Sequence, residues 1–251
     1  MLNFALGILS SIVAAIILAL VVRLQLFLYP NLRPAWNILK SIGRLRKAGI
    51  NNIMTSRADY RFLRGGETIP RYLLGSVRFT LTYVGFWHAK GVEMENLRSV
   101  FIDLASRGHA IEMVLLDPDI DDSRISFMAK HMGISVTSFR HRLSDAWTEM
   151  IQHQREIPAQ SRRNFVLKAH TEVIHSSAFI IDLGRPSART LVDFKLFGTE
   201  REGAFAIELV PTRAPDSLYQ RLTESFMSIR DAARIRTAAL QVITNGRKEQ
   251  C

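Results

Sequence analysis

His175, Ser177 and Asp182 are the residues whose types and spacing best suit phosphate chemistry, in the pattern H-x-S-x-x-x-x-D. Residues 178–181 between them are apolar and rich in β-branched and aromatic side chains, which predicts a buried strand. Side chains alternate faces along a strand, so His175 and Ser177 are expected on one face and Asp182 at the far end. An imidazole beside a hydroxyl, with a carboxylate downstream, predicts a phosphate-handling site.

The segments that must position these residues predict an α/β fold. Residues 94–107 repeat apolar side chains at helical spacing, and strand-like runs precede and follow them at 78–87 and 111–116. A strand–helix–strand order predicts parallel pairing with a right-handed crossover. The second half of the chain has strand-like runs without a long helix between them, at 165–169, 173–181, 190–197 and 204–210. The expected fold is a mixed, mostly parallel sheet flanked by helices.

This order of elements, together with the motif, resembles one domain of the phospholipase D superfamily over about residues 50–235. That family carries H-x-K-x-x-x-x-D, and Ser177 stands where the family has lysine. The later strand resembles the family's Asn-x-Glu strand: Glu208 matches the glutamate, and Ala206 stands at the asparagine position. The motif in this sequence is therefore a degenerate one.

The resemblance implies that His175 is the nucleophile of a phospho-histidine mechanism, with Ser177, Asp182 and Glu208 as the other catalytic positions. A second histidine would protonate the leaving group. Only one motif is visible in this chain, so the resemblance implies a homodimer that brings two motifs together. Ser177 cannot neutralise the charge of a phosphate, and the neighbouring strand-like runs offer two candidate phosphate-binding cations, Lys168 and Lys195.

Three functions agree with these residues. The first, which we favour, is a catalytically degenerate phospholipase D-like protein that binds a phosphate-bearing ligand or a partner and signals at a membrane. The second is an active phosphodiesterase, a phospholipase or nuclease, that uses His175 in a homodimer, so enzyme activity stays open. The third is a scaffold whose motif is only a relic of the fold. A nucleotide or another phosphodiester is the candidate ligand.

The first 30 residues predict a transmembrane anchor, because residues 1–22 carry no charge and 4–22 are long enough to cross about 30 Å of hydrocarbon. Basic residues follow this segment, which predicts a single-pass protein with a cytoplasmic C-terminal domain. Residues 31–49 predict an amphipathic basic helix that either lies on membrane lipids or packs on the domain. Its candidate lipid-contacting residues are Trp36, Lys40, Arg44, Arg46 and Lys47.

The distribution of charge argues against duplex nucleic acid as a partner. The net charge is +10, but residues 23–76 hold ten Lys/Arg and two acids, so the rest of the chain is nearly balanced. A groove for duplex nucleic acid would spread positive charge through the globular domain. That domain is expected at 50–240, followed by a polar tail at 241–251.

No metal ion or other cofactor is predicted. The single cysteine, Cys251, excludes an internal disulfide and a Cys/His zinc motif. Residues 117–122 include four aspartates, which could hold a divalent cation or cap the helix predicted to follow; the spacing is not that of an EF-hand, and capping is the interpretation that we favour. Neither a G-x-S-x-G elbow nor a glycine-rich phosphate loop is present.

Overall fold

A computed structural model describes residues 33–55, 68–86, 92–194 and 205–236, with the backbone alone at 33–40 and 92–96. The boundary between two compact units falls between Arg46 and Lys47. The helices of the described residues are α1 (Arg33–Ala48), α2 (Ile69–Ser76), α3 (Val92–Ser106), α4 (Asp122–His131), α5 (Val136–Glu156) and α6 (Leu218–Ala232). A 3₁₀ helix, Ala159–Asn164, follows α5.

Eight strands of the described residues form one sheet in the order β1-β7-β6-β5-β2-β3-β4-β8. The strands are β1 (Ile50–Met54), β2 (Thr80–Gly85), β3 (Ala110–Leu116), β4 (Phe165–His170), β5 (Ser176–Ile181), β6 (Arg189–Phe194), β7 (Phe205–Leu209) and β8 (Arg234–Ile235). β2, β3 and β4 are parallel neighbours, and β5 runs antiparallel beside β2. The end of the sheet at which β2, β3 and β4 finish is called the carboxyl end below.

Helices cover both faces of the sheet, which makes the domain α/β. One core cluster combines strand residues with side chains of α2, α3, α4 and α5, including the fully buried Trp147 and Phe101. A smaller cluster on the other face packs α6 against the sheet through Phe226. β3 contacts both clusters, through Met113 on one face and Val114 on the other. Burial on both faces explains why this strand is apolar at most positions.

The prediction of a mostly parallel sheet is wrong. Of the seven strand pairs in the part of the chain that the structure describes, two are parallel, β2–β3 and β3–β4. β5, β6 and β7 follow one another in the chain and pair antiparallel, and β1 and β8 join the two outer strands in the same way. Short connections permit antiparallel pairing, whereas each parallel pair needs a crossover. Among the described residues between β4 and β7 there is no α-helix for such crossovers.

The predicted membrane span is also corrected. In the part of the chain that the structure describes, no helix is both long and apolar enough to cross a bilayer. α1 has only 16 residues and carries five basic side chains. The predictions of a transmembrane helix and of a single-pass membrane location therefore have no support and are withdrawn. The segments on which they rested, 4–22 and the whole predicted anchor at 1–30, lie outside the described residues.

Candidate functional site

His175 lies at the carboxyl end of the sheet, in a bend directly before β5, and its side chain is exposed. Because β5 runs antiparallel to β2, the start of β5 lies beside the end of β2. The carboxyl end of parallel strands is where open α/β sheets usually bind ligands. The strand begins at Ser176, three residues later than the predicted start at 173, so His175 is not held in the ladder with Ser177.

Two aromatic side chains of α4 contact the His175 ring. The ring centroids of His131 and His175 are 4.5 Å apart, and those of Phe127 and His175 are 5.8 Å apart. Phe127 is 57% exposed, so the group forms an accessible surface. We call His131 and His175 the imidazole pair. The pKa of His175 lies below its ordinary value, first because partial burial disfavours the charged ring and second because His131 is close.

The segment that carries His175 is fixed by the residues before it. His170 is 2% exposed at the end of β4, and its Nε2 lies 3.1 Å from the carbonyl oxygen of Gly85. The backbone N–H of Glu172 donates to Nδ1 of His170 at 3.2 Å, so the proton of the neutral ring is on Nε2. Burial lowers the pKa of His170 and favours this neutral form. Arg124 of α4 donates to the carbonyl oxygen of Thr171 at 2.5 Å.

Ser177 is buried beneath this end of the sheet, with 6% of its surface exposed. Its ladder neighbours are Asp193 on β6 and, by the register of β2 with β5, Gly85. A Cβ atom at position 85 would lie 2.9 Å from the Ser177 Cβ and would also collide with the Tyr83 ring. Glycine is therefore required there by the close approach of its neighbours. The side chain opposite position 177 is an acid, so this pair offers a phosphate no positive charge.

Asp182 lies directly after the opposite end of β5, roughly 20 Å from Ser176 at about 3.4 Å per residue, and His175 is one residue further away. It is fully buried, and its backbone is in the left-handed region with φ 50°. Its carboxylate accepts hydrogen bonds from the N–H groups of Arg78, Phe79 and Thr80 and from the Ser187 hydroxyl. These bonds join the turn after β5 to the start of β2. The structure thus gives Asp182 a structural position and does not bring it to His175.

Glu208 is the centre of a separate buried network. It is on β7, two strands from β5, in register with Leu191 and through it with Phe179. Its carboxylate has 0% exposure and accepts four hydrogen bonds, from the side chains of Asn51, Asn52, Tyr72 and Arg189. Burial alone would raise the pKa of Glu208, but these donors outweigh it and the net shift is downward. Burial, followed by the Glu208 charge, raises the pKa of Tyr72.

The structure describes one of the two candidate phosphate-binding lysines and the side chains of three of the five candidate lipid-contacting residues. Lys168 lies on the face that α6 covers, where its Nζ is 2.6 Å from Oε1 of Glu112. Lys195 lies outside the described residues. Of the α1 residues, Arg44, Arg46 and Lys47 are exposed, while the side chains of Trp36 and Lys40 are not among those described.

The aspartates of residues 117–122 cap a helix and form ion pairs within the domain. Asp121 caps α4 by accepting from the Arg124 N–H at 2.9 Å. Arg140 forms an ion pair with Asp122, and Arg236 forms one with Asp119. Among the described residues no group of three or more His, Cys, Asp or Glu side chains could hold a metal ion.

Sequence reasoning missed His131, Phe127 and Arg124. They are spaced i, i+3 and i+7 on α4, which places them on one face of that helix. That spacing was visible in the sequence, but the face that it defines packs against a segment about 45 residues later in the chain, and no local pattern indicates this contact.

Comparisons with known proteins assign no family to the chain. No family model matches it, and no curated protein matches it. One similar solved structure is that of TrmBL2, an archaeal chromatin protein described as showing a novel mode of DNA binding. It is 11% identical, covers 90% of this chain and 70% of that chain, and has a TM-score of 0.40. A likeness at this level carries no argument about fold or function.

Proposed function

We propose that the chain is a phospholipase D-like domain that binds a phosphate-bearing ligand at the imidazole pair and does not hydrolyse it. The observation that carries this proposal is the exposed His175 ring in contact with His131 at the carboxyl end of the sheet. Imidazole N–H groups donate hydrogen bonds to phosphate oxygens. Arg124 is a cation on the same face of α4.

The surroundings of the other motif residues, Ser177, Asp182 and Glu208, favour binding of a phosphate-bearing ligand without its hydrolysis. Ser177 is buried beside Asp193, so the lysine position offers no cation to a transition state in which negative charge builds. Asp182 and Glu208 each accept four or more hydrogen bonds from protein donors, far from His175. The hydrogen bonds of these two carboxylates therefore stabilise the fold.

Isothermal titration calorimetry with inorganic phosphate tests the proposal on the full chain. We expect His175→Ala and His131→Ala each to weaken binding about 10- to 100-fold, the range of a hydrogen bond to a charged group. His109→Ala is the matched control, because His109 precedes β3 at the other end of the sheet. If phosphate binds equally to all four proteins, or to none of them, the proposal fails.

A second candidate, an active phosphodiesterase, has one observation in its favour. The family's mechanism needs two histidines, and His131 of the same chain lies beside His175. Turnover of bis(4-nitrophenyl) phosphate that is lost in His175→Ala, with a phospho-histidine at position 175 found by mass spectrometry, would establish it and reject the non-catalytic proposal.

The single motif also leads us to propose a homodimer. Sedimentation equilibrium across micromolar protein concentrations should give twice the chain mass. A monomer throughout that range would exclude the dimer and leave the imidazole pair as a site within one chain.

A further inference from the structure

We propose that His131 and His175 together bind a divalent late-transition-metal ion such as Zn²⁺, and that the ion supplies the positive charge that Ser177 does not. The binding of the ion is independent of the proposed function. Its role toward phosphate rests on that function.

The geometry of the imidazole pair fits one shared ion. Two imidazole nitrogens at about 2.0–2.1 Å from a tetrahedral zinc lie about 3.3 Å apart. Ring nitrogens are about 1.1 Å from the ring centroid, so two rings that share a tetrahedral zinc have centroids about 5 Å apart. The rings here are 4.5 Å apart and inclined by 44°, so they reach that arrangement by rotating and separating by about 0.6 Å. Imidazole is a ligand that zinc, copper and nickel accept.

Both rings are on fixed supports, which lowers the cost of bringing them together. His131 lies in the last turn of α4, and Met128 and Ile125 of the same helix are buried in the core. His175 ends a segment tied down by His170 and by Arg124. Rigid supports hold ligands in place before the ion arrives, so less ordering accompanies binding.

Two ligands leave the coordination shell incomplete. Because the described residues provide no third ligand in a cluster, the remaining positions fall to water or to a ligand from solution. A phosphate oxygen can replace such a water, and the ion then neutralises the anion in the way a lysine ammonium would. His175 is exposed, so both an ion and an anion can reach the pair.

Zinc binding to the full chain, measured by competition with a chromogenic chelator, tests the site. We expect one Zn²⁺ per chain. Loss of an outer partner of a ligand costs about 10- to 100-fold in metal affinity, so loss of one of the two ligands in His131→Ala or His175→Ala should cost at least that much. His109→Ala should bind zinc like the unmodified chain. If the double variant of His131 and His175 binds zinc equally well, the site does not exist.

Phosphate calorimetry with and without Zn²⁺ then tests the role of the ion separately. We expect zinc to tighten phosphate binding about tenfold or more, and only in proteins with both histidines. Phosphate binding that zinc leaves unchanged would overturn the role of the ion while the proposed function stands. If phosphate does not bind either with or without Zn²⁺, the proposed function is rejected. The metal site would still stand if zinc binds at the imidazole pair.

Discussion

Replacing Glu208 with glutamine should destabilise the fold, because this carboxylate is a structural centre. It is fully buried and accepts from Arg189 at 2.8 Å, from the Tyr72 hydroxyl at 2.9 Å and from two asparagine amides. Glutamine is nearly isosteric, but it removes the charge beside Arg189, whose side chain is 19% exposed. It also turns an amide N–H₂ toward groups that are themselves donors.

The magnitude follows from these contacts. Breaking a buried ion pair by removing one partner costs about 3–5 kcal/mol. Glutamine keeps one acceptor oxygen and Arg189 keeps some access to water, so we expect about 3 kcal/mol. For a domain of this size that corresponds to a fall in Tm of about 6–12 °C. Urea unfolding followed by circular dichroism gives the free energy directly.

Glu224→Gln is the matched control, since Glu224 is an exposed carboxylate on α6 with one hydrogen bond, from Gln220. It should change the free energy of unfolding by no more than about 0.5 kcal/mol. At temperatures where Glu208→Gln is folded, phosphate should bind with unchanged affinity. The reasoning is refuted if Glu208→Gln is as stable as the control, or if it stays fully stable and loses phosphate binding.

Three further changes test other parts of the structure. Asp182→Ala leaves four donors without their acceptor and should lower stability in urea by about 3 kcal/mol; a loss under 1 kcal/mol would contradict its structural role. Gly85→Ala should cost about 1–3 kcal/mol, because the new methyl group meets Tyr83 and Ser177, and an unchanged Tm would show that they can move. Burial, followed by nearby Arg98, lowers the pKa of His153 to about 4. The unfolded chain therefore binds the proton more readily between pH 6.5 and 4, so stability present above pH 6.5 should fall by up to about 3 kcal/mol toward pH 4, and His153→Leu should lose less over the same range.

The sequence allowed correct prediction of elements whose local pattern is strong. The helical spacing at 94–107 matches α3 to within two residues at each end, and the apolar run at 111–116 lies within β3. The pattern of side chains is misleading where a single polar residue determines the secondary structure. Ile134, Val136 and Thr137 are β-branched, which is typical of a strand, but Ser135 accepts a hydrogen bond from the Ser138 N–H and caps α5. The helix therefore begins at Val136.

The start of β5 could not be predicted from local pattern either. Val173 and Ile174 are apolar, which extended the predicted strand back to 173, but they pack against the core from a segment outside the ladder. That segment is shaped by His170 and by a carbonyl contact from Arg124, which is 47 residues from its partner Thr171. Hydrogen bonds between distant parts of the chain decide this geometry.

The candidate site shows the same limit. Motif spacing gave His175 a partner, Asp182, that lies at the other end of β5 with its carboxylate fully engaged. The partner that the structure provides is His131, from a helix that comes earlier in the chain. Glu208 matched a family position, yet its hydrogen bonds to Asn51 and Asn52 join strands more than 150 residues apart. Sequence spacing cannot reveal such contacts.

The claim that the imidazole pair is a phosphate-binding site is tested most directly by NMR of the histidine rings. Long-range ¹H–¹⁵N spectra of the full chain, recorded during a titration with inorganic phosphate, should show the ring signals of His131 and His175 moving together along one saturable curve. The rings of His109 and His141 should remain still. Saturable shifts in other histidines alone, or no shift in this pair at saturating phosphate, would contradict the account.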